Sequence, residues 1–436
     1  MNNKQHIVAL EIGSSKIVGA IAEKNDNGVL TLRFLETEKL SNCVRYGCVQ
    51  NVENVKSAIQ RILHNLSKRI DGEITKVYVG MAGRSLHSQV NEVQRSVDSS
   101  TPISDVTIKG IIQSARTKPM NKYQILDVVP RAYYVDKRKT DTPVGECGSE
   151  IKINVNLIIA NEILKRNLYR VLTTSNINVK DYIITPIATG EHLLTPEEKQ
   201  TGCMLLDFGA ETTTVSIYKD GTLAYLNTLP LGGRNLTIDI MNGLNVLEDT
   251  AERIKTNIDL PLDPTAANSV IIDGKNSLDA AKYINARFGE IMANVNKQVS
   301  YAGMSMDAIR SIVLIGAASQ LRGVTDKIKD ITKITNVRIG NMPSAINIID
   351  STCNRIEYIG IMSLLTEAAE RIDTVDTCVK INTYDGGMFN VETPEPPTPT
   401  SPEPAPTEPK KQKPESWAER MAKKFNRMFA EDPDDE

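Results

Sequence analysis

Tryptophan occurs once in this chain, at Trp417, and basic residues are not in excess: 51 Lys and Arg stand against 54 Asp and Glu among 436 residues, a formal net charge of -3. That balance excludes a general nucleic-acid binder, because no surplus of cations is available to neutralise phosphates across a broad surface. The six cysteines, Cys43, Cys48, Cys147, Cys203, Cys353 and Cys378, form no C-x-x-C pair and have no histidine cluster nearby, which excludes a zinc site and a disulfide framework and fits a reducing cytosol. Missing too is any apolar run near the ~18 to 20 residues that a spanning helix needs, and the opening Met-Asn-Asn-Lys-Gln-His leads into a strand-like run with no signal-type apolar core. The expectation is a chain that is neither exported nor transmembrane.

What is present is a body long enough for two to four subdomains, with 40% hydrophobic residues, followed by an appendage. In the body, short apolar strands alternate with helical periods, as in residues 52–66 followed by 76–81, the signature of an α/β fold. An internal echo is more informative. Residues 8–21, VALEIGSSKIVGAI, and 204–217, MLLDFGAETTTVSI, share the order apolar run, acid, apolar residue, Gly, small polar turn, apolar run, and each reads as strand, tight turn, strand. A repeat so widely spaced predicts two similar domains facing each other across a cleft.

In such a cleft Gly13 and Gly209 let backbone N–H groups approach a polyanion, and Ser14, Ser15, Thr212 and Thr213 offer hydroxyls to phosphate oxygens. Glu11 and Asp207 then hold a hydrated Mg2+, an ion that takes carboxylate, water and phosphate oxygens. A third element, Leu231-Gly232-Gly233-Arg234-Asn235, is a glycine turn entering a helix, where free N–H groups suit an anionic or polar ligand. A fourth, residues 311–319, is a buried strand ending in small residues against which a flat base can lie. The plainer reading of the echo is two ordinary β-hairpins whose acids and glycines only shape the turns.

The appendage begins with residues 393–415, TPEPPTPTSPEPAPTEPKKQKPE, a stiff, disordered linker with almost nothing to bury. As polyproline II, at ~3.1 Å per residue, it reaches roughly 70 Å. After it, Trp417, Met421, Phe425, Met428 and Phe429 fall at i, i+4, i+8, i+11 and i+12, one stripe of a helix over 416–430, flanked by Arg420, Lys423, Lys424 and Arg427. Ser416 with Glu419 reads as a capping box, and an indole favours the headgroup region. A basic-rimmed apolar stripe on a long spacer fits an anionic membrane surface, with the acidic end 431–436 facing away from lipid. Binding into a partner's groove and packing back on the body are the alternatives. One short helix holds weakly, so several anchors on a polymer add avidity.

The pieces ALEIGSSKI (9–17), GCVQNVE (47–53), VYVGMAG (77–83), VPRAYYVD (129–136) and the Trp-containing end resemble the FtsA family of bacterial cell-division proteins, within the superfamily of actin, the ATP-driven chaperones and the sugar kinases. The resemblance spans most of residues 7–365 and returns in the tail. It implies an actin-like, ribonuclease H-like α/β fold of two domains and four subdomains: 1A at 1–85 and 167–200, a 1C insertion at 86–166 in place of 1B, 2A at 201–243 and 304–380, 2B at 244–303, and a linker at 381–415. It also implies ATP and Mg2+ as ligands. Gly13 to Lys16 match the first phosphate loop, Asp207 to Thr213 the second, Gly232 to Asn235 and Gly316, Ala317 and Ala318 the adenosine side, while Glu252 and Lys255 match helix positions that bracket ribose and adenine. The second loop departs from the family: Gly209 is followed by Ala210 and Glu211, with Thr214 where an Asp usually stands. Glu211 beside a phosphate is repulsive, and the segment 185–190 carries only Thr as a candidate base, with Glu191 beyond it, so hydrolysis is expected to be weak or absent.

The family further implies binding of the C-terminal peptide of the tubulin-like division protein FtsZ on subdomain 2B. There residues 283–290, YINARFGE, resemble the family's contact helix and make Arg287, with Glu290, the candidate anchor. The implied output is an adaptor on the inner face of the cytoplasmic membrane at the division site. It self-associates into filaments, tethers FtsZ and recruits other division proteins. Two other classes remain open: a soluble kinase or chaperone-type ATPase, which needs a sugar pocket with a catalytic Asp or an appended substrate domain that the sequence does not signal, and an actin-like pilus-assembly adaptor, in which the proline linker and amphipathic end have no evident purpose.

Overall fold

The computed structural model describes residues 4–258, 271–373 and 376–382. The membrane residues Trp417, Arg420, Met421, Lys424, Phe425, Met428 and Phe429, with the linker and acidic end, lie outside the described residues.

In chain order the strands that build the two main sheets are β1 Gln5–Ile12, β2 Lys16–Lys24, β3 Leu30–Lys39, β4 Val77–Met81, β5 His87–Ser96, β6 Tyr123–Val135, β7 Arg138–Thr140, β8 Glu150–Asn161, β9 Val179–Ile184, β10 Cys203–Phe208, β11 Thr213–Lys219, β12 Thr222–Leu229, β13 Ser311–Ile315, β14 Val337–Ile339 and β15 Ile346–Ile348. One sheet runs β9-β4-β1-β2-β3-β15 and the other β7-β6-β8-β5-β12-β11-β10-β13-β14. The echo in the sequence is thus an echo in topology. Each half has an antiparallel three-strand meander, β1–β2–β3 or β10–β11–β12, whose first strand then pairs in parallel with a later one, β4 or β13. Parallel pairing demands a crossover, which is why helices separate those strands in sequence.

β1 and β10 are apolar on both faces, with Ile7 to Leu10 and Cys203 to Leu206 all buried, as central strands covered on both sides must be. Helix α1, Val52–Ile70, covers the first sheet. It starts where the Asn51 side chain accepts from the Asn54 N–H, ends at Asp71 in the left-handed region, and buries Val55, Ile59, Ile62 and Leu66. Its approach to β2 needs Gly19: a β-carbon there would lie 2.3 Å from Ile62 Cγ2.

Strands β5 to β8, with helix α2 Asp105–Arg116 on them, carry a separate small core that includes Ile111, Ile151, Ile153 and Leu157. This inserted layer adjoins the second half, where Asn227 pairs with His87 and the buried Asn156 donates to Leu223 O at 2.6 Å. Helix α3, Glu162–Thr174, buries Leu164 and Leu168 in the first core, so the inserted layer closes at Asn161 where 166 was expected.

The assignment of 304–380 to the second half also differs from the structure. β15 pairs in parallel with β3, and helix α6 Ile359–Arg371 packs in the first core against α4 Thr185–Leu193. Between those helices in sequence comes α5, Gly233–Leu244, whose Leu236 and Ile240 are buried in the second core. A short strand and a helix in the sequence do not say which sheet receives them.

Gly19→Ala should destabilise the chain by roughly 1–3 kcal/mol through overpacking. Ile62→Ala in the same chain, which vacates the clashing atom, should make the penalty of Gly19→Ala smaller, and chemical denaturation of the four proteins of that cycle checks it.

Candidate functional site

The turns after β1 and β10 meet across a cleft of about 830 Å3, part of it open to solvent, walled by Glu11 to Lys16 from one half and by Asp207, Gly209, Ala210 and Thr212 from the other. Gly316 and Ala317 complete the second side, and Gly47, Gly80, Ala82, Gly83, Thr185 and Glu357 the first. Both turns close the same way: Gly13 N–H donates to Lys16 O at 2.9 Å and Gly209 N–H to Thr212 O at 2.8 Å. Of the sequence-expected residues, Glu11, Gly13, Ser14, Ser15, Lys16, Asp207, Gly209, Thr212, Gly316 and Ala317 therefore share one cavity wall.

Glu11 and Asp207 are desolvated in the cleft. Burial, and then repulsion from Asp207, push the Glu11 carboxyl up to about 7, against the attraction of Lys16 and a hydrogen bond from the Ile361 N–H at the start of α6. Burial alone lifts Asp207 to about 6. Small residues make room for both carboxylates: a β-carbon on Gly360 would lie 2.3 Å from Glu11 Oε1, and one on Gly316, whose φ is +82°, would lie 2.6 Å from Asp207 Oδ1. Lys16, the nearby cation, is engaged with Glu357 at 2.9 Å and lies over the Tyr358 ring. Two desolvated carboxylates with little local neutralisation fit a divalent cation, and two are too few to fill an octahedral shell, so water and ligand phosphate oxygens would occupy the other positions.

Several expected ligand groups are already committed. The Thr213 hydroxyl donates to Leu231 O at 2.7 Å, and Thr214 is buried against Thr228. The N-terminus of α5 is not free for an anion: Gly233 N–H donates to Gly209 O and Arg234 N–H to Ala210 O, while the Asn235 side chain accepts from Gly232 N–H. That glycine turn braces the second loop from behind. A β-carbon on Gly232 would fall 2.7 Å from three of that loop's backbone atoms. Glu211 also turns away from the cavity, to an ion pair with Arg45 at 2.9 Å and a hydrogen bond from Tyr46 N–H at 2.7 Å. The repulsion expected from it is thereby removed.

Glu252 and Lys255, on the helix Glu248–Thr256, stay together: Lys255, 7% exposed, donates to Glu252, Thr237 and Gly233 O. Gly233 in turn adjoins Ala318, whose Cβ would lie 3.2 Å from a β-carbon at 233. The pair thus abuts the glycine turn beside Gly316 and Ala317, where one face of Glu252 remains half exposed.

Arg287 does not present a free guanidinium. Its Nε and Nη2 pair bidentately with Asp239 on α5, at 2.6 and 3.0 Å, and Nη1 pairs with Glu290. Sequence reasoning gave no role to Gly47, Gly80, Ala82 and Gly83, although GMAG at 80–83 carries a readable signal, a run of small residues at a strand end.

Comparison with known proteins follows the same regions. A family profile described as "Cell division protein FtsA" matches residues 204–354, and one described as "SHS2 domain inserted in FTSA" matches 83–159. Similar relatives include the cell division protein FtsA of Porphyromonas gingivalis, 29% identical over 337 residues that cover 74% of this chain and 70% of that protein, and the FtsA of Bacillus subtilis, 26% identical over 363 residues, 80% of this chain and 81% of that one. Among solved structures, a chain of the PilM-PilN type IV pilus biogenesis complex superposes with a TM-score of 0.60 at 17% identity, over 83% of this chain and 98% of its own, a likeness of fold alone.

The raised acids give a pH dependence of stability. A carboxyl whose folded value lies above its unfolded one binds more protons when folded, so its contribution is present at low pH and is lost as pH rises, for Glu11 between about 4.5 and about 7. Denaturant unfolding in metal-free buffer at pH 5 to 8 should show this fall, Glu11→Gln should flatten it, and Mg2+ should reduce it at pH 8.

Proposed function

We propose a function on one premise: the chain belongs to the FtsA family of cell division proteins. Its α/β fold is actin-like and its role lies in cell division. The further reading is that the cleft takes ATP with Mg2+, that the protein assembles into filaments on the inner face of the cytoplasmic membrane, and that it tethers FtsZ there with other division proteins. The observation that carries it is the pairing of Gly13 and Gly209 turns around two desolvated carboxylates, Glu11 and Asp207, in one cavity.

In this reading the phosphates lie between the two turns. Ser14 and Thr212 would supply hydroxyls, backbone N–H groups further donors, and Glu11 and Asp207 would hold the ion. Bound Mg2+ supplies charge neutralisation. The braced second loop favours a preorganised binding site, and of the acids in the cavity Glu11 and Asp207 are assigned to the ion while Glu357 is paired with Lys16, which supports a nucleotide switch over a fast ATPase. Peptide capture by Arg287 requires exchange of its Asp239 partner for a peptide carboxylate, so Asp239 belongs to that surface. Among the described residues no helix is long and apolar enough to cross a membrane, and attachment is assigned to the stripe of Trp417, Met421, Phe425, Met428 and Phe429.

Two experiments test the reading. Titration of ATP with Mg2+ should give saturable binding that Gly13→Val weakens at least about tenfold, since a β-carbon there lies 3.1 Å from Lys16 O before any larger group is added; unchanged affinity would place the phosphates elsewhere. On anionic vesicles the full chain should pellet and Trp417→Glu or a chain ending at Val391 should not; equal pelleting would remove the anchor.

A further inference from the structure

Glu211 is a carboxylate with a side chain only 4% exposed, in a loop where charge looks unwelcome. Its partners explain why it is tolerated. Arg45 Nε lies 2.9 Å from Oε1, Arg234 Nε lies 3.9 Å from the same oxygen, and Tyr46 N–H donates to Oε2 at 2.7 Å. Arg234 belongs to the same half as Glu211. Arg45 and Tyr46 belong to the other half, in the turn between the short strands Val44–Arg45 and Cys48–Val49. The contact therefore spans the cleft.

The same turn makes two more contacts. Gly47 N–H donates to Ser14 Oγ in the first loop at 3.0 Å, and Tyr46 O accepts from Arg84 N–H at 2.7 Å, three residues before the inserted layer begins. Its shape is demanding, since Tyr46 and Gly47 both have positive φ, 52° and 78°. A β-carbon on Gly47 would lie 2.5 Å from Gly83 Cα, so the turn cannot sink further into its own half. Two consecutive residues thus touch both loops and the root of the insertion.

We propose that Glu211 is a positioning residue that locks the Tyr46-Gly47 turn between the two phosphate loops, fixing Ser14 and holding the phosphate end of the cleft closed. Gly47 N–H occupies an acceptor site on Ser14 Oγ, which leaves the hydroxyl proton as donor to an anion. Opening the halves would strip Arg45 and the Tyr46 N–H from a buried carboxylate, a costly state, so the lock resists opening before ligand arrives. This proposal rests on the nucleotide reading of the cleft only for what binds there. The lock itself stands on the contacts.

The bond between Arg45 and Tyr46 is a tryptic site whose amide N–H is the one that Glu211 holds, so cleavage there reports the lock directly. In the full-length protein Glu211→Ala should raise the cleavage rate at Arg45-Tyr46 by about tenfold, as expected for losing one charge-assisted hydrogen bond. Glu211→Gln, which keeps an acceptor for Tyr46 N–H, should fall between Ala and wild type. Cleavage at sites distant from the turn should not change. In parallel, Glu211→Ala should weaken MgATP binding while the Gln variant recovers part of it. Cleavage at Arg45-Tyr46 that stays at the wild-type rate, or rises equally at all sites, would overturn the lock. Wild type that binds no MgATP, with the site-selective rise still seen in Glu211→Ala, would overturn the nucleotide reading and leave the lock standing.

Discussion

Two carboxylates, Glu11 and Asp207, lie one residue before the ends of interior strands of the two sheets and face the same desolvated cavity, where burial lifts both above their ordinary range. Much of the surrounding structure serves to tolerate them. Gly316 and Gly360 leave space at their oxygens, the Ile361 N–H at the start of α6 donates to Glu11, and the turns at Gly13 and Gly209 keep bulk away. An arrangement that concentrates negative charge in a low-dielectric cleft is unfavourable by itself and becomes favourable when a cation with its anionic ligand fills the space. The duplicated topology is what brings the two acids together.

The acid-Gly-turn echo at 8–21 and 204–217 was legible because strand, turn and donor chemistry all lie within fourteen residues of one another, and the structure builds matching hairpins from both. Gly316 was legible for a similar reason, as a glycine at the end of an apolar strand. Less legible was anything that depends on who braces whom. Gly232 to Asn235 looks from sequence like a ligand-facing helix start, yet its N–H groups go to the carbonyls of Gly209 and Ala210. Thr213 looks like a phosphate hydroxyl and instead donates to Leu231 O. Arg287 looks free on its helix, while Asp239, forty-eight residues earlier, occupies its fork. The return of 346–371 to the first core was hidden for the same cause, since a strand of three residues with one buried side chain, Ile346, carries no label for its sheet.

Glu211 shows how a departure from a family's usual pattern can be absorbed. A glycine-rich loop accommodates ligand by having no side chains. Here a carboxylate is present but is drawn out of the cavity by Arg45, Arg234 and the Tyr46 amide. The charge that would repel a phosphate is spent on fastening one half of the molecule to the other.

The role proposed for the two raised acids, to take a metal with a polyphosphate, is measured by calorimetric titration of ATP into the protein, with and without Mg2+ and at pH 5.5 and 8. Binding should depend on Mg2+ and be tighter at pH 8, where Glu11 and Asp207 are ionised and can share the ion. Equal affinity with and without Mg2+, insensitive to pH across that range, would contradict it.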